Sequence, residues 1–173
     1  MKMAISMQAQ LIGAWLDDWA APRGGKTKVL ANIRHLYEEV YSMSQDQAPR
    51  ILICFMSADA RGGFNERNTL DREDRQWTVV VLRGHGFRHP GVSEATPGLP
   101  TAFYDDVEEI RNRCRRLIGI SSEPIDYKGI KPLPGIAQPG TANIFLDGYS
   151  VEFSTATDIP AITATAPGQT PDP

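Results

Sequence analysis

The sequence predicts an α/β domain of the α+β kind: one mixed, mainly antiparallel sheet of about four strands, with helices packed on it and a long charged β-hairpin. Three observations lead there. Two short runs, Ile51–Met56 and Trp77–Leu82, read as strands, the first apolar on both faces. The long charged stretch between them makes the pair a hairpin. Around them lie segments whose apolar residues recur with helical spacing. The composition is globular, 41% hydrophobic and 23% charged over 173 residues. A chain of this length buries about two-thirds of its unfolded surface, so it needs no disulfide or metal to fold.

Residues 4–20 read as a first helix, with Ile5, Leu11, Ile12, Trp15, Leu16 and Trp19 on its apolar side. Ala20-Ala-Pro-Arg-Gly-Gly25 breaks it. A second helix is expected from about Thr27 to Ser42, its wide apolar face formed by Val29, Leu30, Ile33, Leu36, Tyr37, Val40 and Tyr41. Arg50–Ser57 is a central strand. Residues 58–75 are too polar for core and too long for a tight turn, and form the hairpin's polar tip. Gln76–Arg83 is its return strand, with Trp77, Val79 and Val81 facing one way and Thr78, Val80 and Leu82 the other.

Gly84 to Pro100 is loop, dense in Gly and Pro. A third helix runs from about Thr101 to Ile118, on the spacing of Phe103, Val107, Ile110, Cys114 and Leu117. Acids near its start (Asp105, Asp106, Glu108, Glu109) and arginines near its end (Arg111, Arg113, Arg115, Arg116) complement the helix dipole. Glu109 and Arg113 are spaced to pair. Ile125–Leu133, broken at Gly129, and Ala142–Phe153, with Asp147-Gly148 as a turn or bulge, are further extended segments. The expected division is one domain over 1–155 and a Pro/Thr/Ala-rich extension over 156–173, disordered toward its end.

The charge balance excludes several classes. Lys plus Arg is 18 and Asp plus Glu is 21, a net charge of −3. That is a poor basis for holding nucleic acid by charge. No apolar run approaches the ~20 residues of a membrane span. The two cysteines, Cys54 and Cys114, fall at apolar positions and read as buried small hydrophobes, which points to a reducing cytoplasm.

Motifs with chemical meaning carry bland alternatives. Ala20-Ala-Pro-Arg-Gly-Gly-Lys26-Thr27 fits a relaxed phosphate loop opening a helix, but no strand precedes it to aim backbone amides at phosphates. A Gly-rich link between two helices is the better reading of Gly25-Lys26-Thr27. His85 and His89 are four apart, yet Gly84, Gly86 and Pro90 forbid the helix that would converge them on a metal. His35 is read as a helix residue at or near the surface. No Gly-x-Ser-x-Gly elbow is present, and Cys54 lies mid-strand where its thiolate is disfavoured. No catalytic residue, metal or cofactor is expected. The tip 58–75 remains: charges of both signs with several arginines, a composition that fixes register between protein subunits.

The element order resembles the tail terminator (tail completion) proteins of long-tailed bacteriophages. The likeness spans residues 5–155: two N-terminal helices, a charged hairpin, the helix Phe103-Tyr-Asp-Asp-Val-Glu-Glu-Ile-Arg-Asn-Arg-Cys114, then Ile125-Asp-Tyr-Lys-Gly-Ile130 and Phe145-Leu-Asp-Gly-Tyr-Ser-Val-Glu-Phe153. The resemblance implies a subunit of a virion ring, hexameric in that family, assembled in the host cytoplasm. Such a ring caps the head-proximal end of the tail tube, stops its polymerisation and meets the head connector, while genome DNA passes through the lumen. The partners implied are the chain itself, tail tube protein and neck proteins, with no membrane. The family offers no catalytic residues to carry over. From charge and loop length, the interface residues expected are Arg61, Arg67, Arg72, Glu73, Asp74 and Arg75 in the tip, with Arg111 and Arg115 on the third helix. The alternatives are another neck ring (head-completion, adaptor or stopper), a nucleotide-binding domain using Gly25-Lys26-Thr27, and a soluble α/β adaptor.

Overall fold

A helix followed by three strands occurs twice along the chain in a computed structural model that describes residues 3–36, 38–39, 49–61, 70–85, 103–133, 136–137 and 145–160. The elements are helix α1 (Ile5–Ala20), strands β1 (Lys26–Leu30), β2 (Arg50–Arg61) and β3 (Leu70–His85), helix α2 (Phe103–Arg115), and strands β4 (Asp126–Pro132), β5 (Ile136–Ala137) and β6 (Phe145–Pro160). They build one mixed sheet in the order β1-β2-β3-β6-β4, with β5 also paired to β6. β1 runs parallel to β2, and the other junctions are antiparallel. The α+β class is the one expected.

Both faces of the sheet are covered. Trp77, Val79 and Val81 of β3 join Ile51, Ile53, Val151 and Phe153 beneath the two helices. Val80 and Leu82 join Leu52 and Cys54 on the opposite face, under Leu30 and Leu36. This is the two-sided alternation read from the sequence, and each fully buried side chain contributes about 1.5–3 kcal/mol. α1 settles through Ala9, Ile12, Leu16, Trp19 and Ala20. α2 buries Phe103, Val107, Ile110 and Cys114, as their spacing predicts. Cys54 and Cys114 are both free and buried. No helix among the described residues is long and apolar enough to cross a membrane.

Five expectations change. The helix expected from Thr27 does not begin there, because Lys26–Leu30 is strand, in parallel register from Lys26↔Arg50 to Leu30↔Cys54. Thr27 and Val29 suit a strand, and pairing with β2 outweighs the local helical spacing. A 3-10 turn follows at Ile33–His35, where the Asn32 side chain accepts from the Arg34 N–H at 2.9 Å. Leu36, Glu38 and Glu39 are helical, and residues 40–48 lie outside the described residues.

The polar tip is shorter than 58–75. Ala58↔Arg75, Asp59↔Asp74, Ala60↔Glu73 and Arg61↔Arg72 are paired strand residues, and only residues 62–69 between them lie outside the described residues. The loop expected from Gly84 also starts late, since Gly84 and His85 pair with Leu146 and Phe145.

β6 passes through the expected boundary at residue 155 and continues to Pro160, pairing with Leu70. Thr155 and Thr157 are buried there, which Thr tolerates when its hydroxyl is bonded. Residues 161–173 lie outside the described residues.

Asp147-Gly148 is neither turn nor bulge: the β3–β6 register runs unbroken through Arg83↔Asp147 and Leu82↔Gly148. Glycine at 148 leaves room for two leucines: a Cβ would stand 2.8 Å from Leu82 Cδ2 and 3.1 Å from Leu133 Cδ1, so those side-chain ends would have to shift to admit it. The irregularities fall in β4, between Tyr127 and Gly129, and in β2, between Phe55 and Ser57.

Candidate functional site

Charge gathers at one end of the sheet. β1 covers β2 only from Arg50 to Cys54, and β4 covers β6 only from Tyr149 to Ser154. Beyond those limits the sheet narrows to an arm of three strands: Ser57–Arg61, Leu70–Gln76 and Thr155–Pro160.

One face of the arm is sealed by the start of α1. Arg75 is 7% exposed. Its guanidinium donates to Glu73 Oε1 at 2.6 Å, to the Met3 carbonyl at 2.7 Å and to Gln8 Oε1 at 2.9 Å. Arginine has no acceptor, so this contact fixes which end of the Gln8 amide is oxygen. The Gln8 amide nitrogen then faces the Ile120 carbonyl, Thr155 Oγ1 (3.1 Å) and Thr157 Oγ1 (3.2 Å). Trp77 Nε1 also donates to Thr155 Oγ1, at 3.0 Å. Every polar group in this buried cluster has a partner, the condition under which burial is tolerable.

The other face is open and bears both signs. Arg72 reaches Glu123 at 2.5 Å and Asp158 at 3.3 Å. Asp59 stands directly across from Asp74. The two edges of the arm differ. Beside β6, the Ser122 N–H donates to the Ala156 carbonyl at 2.8 Å and the Ala156 N–H donates to Ser121 Oγ at 3.0 Å, closing that edge. Beside β2, the edge beyond Cys54 meets no strand among the described residues, and Ser57, Ala58 and Asp59 are exposed.

The expected site residues separate accordingly. Arg61, Arg72, Glu73, Asp74 and Arg75 come together on the arm, but as strand residues and not as a loop tip. Arg75 is committed to the interior. Arg67 lies outside the described residues. Arg111 and Arg115 are on α2: Arg111 donates to Glu108 at 2.6 Å, and Arg115 sits 5.7 Å over the Tyr127 ring. Glu109 and Arg113 pair at 3.3 Å, as expected.

Residues that the sequence reading passed over carry much of the polar structure. Gln8 stands one turn before Ile12 and two before Leu16, inside the buried row. Arg83 lies on the same face of β3 as Arg75 and donates to Asp106 Oδ2 at 3.0 Å, with both side chains buried. A polar residue at a core period, and an arginine at the end of an apolar run, were the available signals.

The phosphate-loop geometry is absent. Gly25 follows a helix and leads into β1, the reverse of strand–loop–helix. A Cβ on Gly25 would stand 2.6 Å from the Pro49 carbonyl oxygen, so glycine serves a close backbone crossing there. His35 is surface-exposed and contacts Glu38 at 2.9 Å. His85 is in β3, and His89 lies outside the described residues. No group of three metal-ligating side chains occurs among the described residues. Burial pushes the Cys54 thiol up to about 11 and the Cys114 thiol up to about 12.

No family model matches the chain, and no curated protein matches it.

Proposed function

We propose that this chain is a structural subunit of a phage virion, forming a ring, by family resemblance a hexamer, that caps the head-proximal end of the tail tube. The ring ends tube polymerisation and presents a joining surface to the head connector. The observation that carries this reading is the three-stranded arm, with its open edge and its face of mixed charge. Such a surface suits contact between proteins: charges of both signs set register and orientation more than affinity. A ring subunit must also offer two different surfaces that close by rotation. An arm with one closed and one open edge supplies such asymmetry. The net charge of −3 suits a lumen that lets DNA pass.

The test is to polymerise tail tube protein with and without the purified chain and to measure tube lengths by electron microscopy. The expected outcome is shorter tubes, each carrying a ring at one end. Tubes of unchanged length with bare ends would overturn the reading.

A further inference from the structure

The outer side of α1 carries apolar residues that the core does not use. Met7, Leu11 and Trp15 are spaced four apart and share one helix face, with exposures of 54%, 43% and 38%. Ile118, just past α2, is 90% exposed. Two ties bring it to the same place. The Trp15 indole donates to the Arg113 carbonyl, and the Gln8 amide nitrogen donates to the Ile120 carbonyl. The chain from Arg113 to Ile120 therefore runs beside the Gln8–Trp15 stretch of α1, with Ile118 alongside Leu11. The four exposed portions amount to roughly 400 Å², a size at which an apolar patch on a monomer marks a contact site. That is about half of the ~800 Å² each partner buries in a stable pair.

The centre of the patch is held in place before any contact. Trp15 Nε1 donates to the Arg113 carbonyl at 3.1 Å, and Arg113 Nη1 donates back to the Trp15 carbonyl at 3.4 Å. The Arg113 guanidinium lies 5.6 Å from the Trp15 ring centroid. A tryptophan fixed in this way loses little freedom on association, and tryptophan and arginine are the residues that dominate contact energies. The rim carries both signs. Asp18 stands one turn beyond Trp15 on α1. Arg116 lies across the indole, its N–H sharing the Arg113 carbonyl with Trp15. Asp18 and Arg116 are both exposed, and neither has an ion pair among the described residues. A partner of a single charge would be repelled by one side of this rim. A second copy, turned by a two-fold rotation through Trp15, sets Asp18 of each molecule against Arg116 of the other.

We infer that the face formed by Met7, Leu11, Trp15 and Ile118 is a two-fold contact between copies of this chain. The same residues stand on both sides, and the rim is self-complementary, as an isologous contact requires. The apolar centre supplies affinity, and the two Asp18–Arg116 pairs fix the orientation. The inference goes beyond the ring reading and does not rest on it, because an isologous contact closes with two molecules.

The test uses full-length Asp18→Arg and Arg116→Asp, alone and mixed, followed by sedimentation equilibrium. Each variant alone sets like charges against one another across the axis, and its pairing should weaken about tenfold or more. In an equimolar mixture the two variants are complementary, and pairing should return to within about threefold of the unsubstituted chain. Leu11→Glu, at an exposed position, should abolish pairing while the thermal melt stays unchanged. The inference is overturned if the unsubstituted chain is monomeric at about 100 μM. It is overturned also if the single charge reversals pair as tightly as the unsubstituted chain, or if the mixture pairs no better than the singles. Tube capping is measured separately, so the two readings fail independently.

Discussion

Arg83 of β3 donates to Asp106 of α2 at 3.0 Å, with side-chain exposures of 6% and 3%. The pair ties the first turn of α2 to the sheet in a place where neither charge reaches bulk water. Removing one partner takes from the other its buried counter-charge. Asp106→Ala is therefore expected to destabilise the fold by about 3–5 kcal/mol. The double change Arg83→Met with Asp106→Leu should recover much of that loss, because an apolar pair avoids the desolvation penalty. Urea denaturation of the singles and the double checks this; a double variant weaker than both singles would contradict it.

Gln8 anchors the start of α1 in the same manner. Gln8→Leu keeps approximate volume but leaves Arg75, Thr155 and Thr157 short of a partner. The expected loss is about 2–4 kcal/mol, since each stranded buried group costs about 1–3. Hydrogen exchange should show faster exchange in the first turns of α1 and at Thr155–Thr157, with α2 unaffected.

Gly25→Ala and Lys26→Ala separate the fold's need from a nucleotide site's. Alanine at 25 collides with the Pro49 carbonyl oxygen, and also with the Ala20 carbonyl oxygen at 2.9 Å. It should cost about 1–3 kcal/mol by forcing apart α1, β1 and the start of β2. Lys26 is exposed on an edge strand, so Lys26→Ala should stay within about 0.5 kcal/mol. Thermal melts of both variants decide it.

The cysteines give a pH signature. Burial raises their thiols above the ordinary cysteine range, to about 11 and about 12. Below about pH 9 the thiols are neutral in both folded and unfolded chains, and the stability they allow is fully present. As pH climbs toward 11 the unfolded chain releases protons that the folded one retains, so stability falls. At pH 8 iodoacetamide should leave both cysteines unmodified in the native chain and alkylate both in urea. Mass spectrometry reads the difference.

Arg72 should behave as a contact residue. Its side chain is 49% exposed, and its pairs with Glu123 and Asp158 are solvent-screened. Arg72→Ala is expected to change stability by less than about 1 kcal/mol. In the ring reading it should weaken self-association and reduce its salt dependence, measured by sedimentation at two ionic strengths.

Much of this architecture can be read from local pattern. β3 announces itself because Trp77, Val79 and Val81 alternate with Thr78, Val80 and Leu82, and both sets end in core. α2 does so through the spacing of Phe103, Val107, Ile110 and Cys114. β1 is harder. Val29, Leu30 and Ile33 fit a helix until β2 is present to accept a parallel neighbour, which is information from far along the chain. Gly148 resembles a turn residue beside Asp147, but its cause is the nearness of Leu82 and Leu133. The arm was partly legible: its charges marked it as distinctive, while their division into a sealed face and an open one depends on Gln8, whose partners are over 60 positions away in sequence.

Arg75 and Arg83 share one face of β3, an even number of positions apart, and each fastens the beginning of a different helix. A strand has parity. Inserting a single residue between the two would turn one arginine to the opposite side, so one helix would lose its fastening whichever way the register settled. Lengthening this strand without loosening a helix therefore requires residues to be gained or lost in twos.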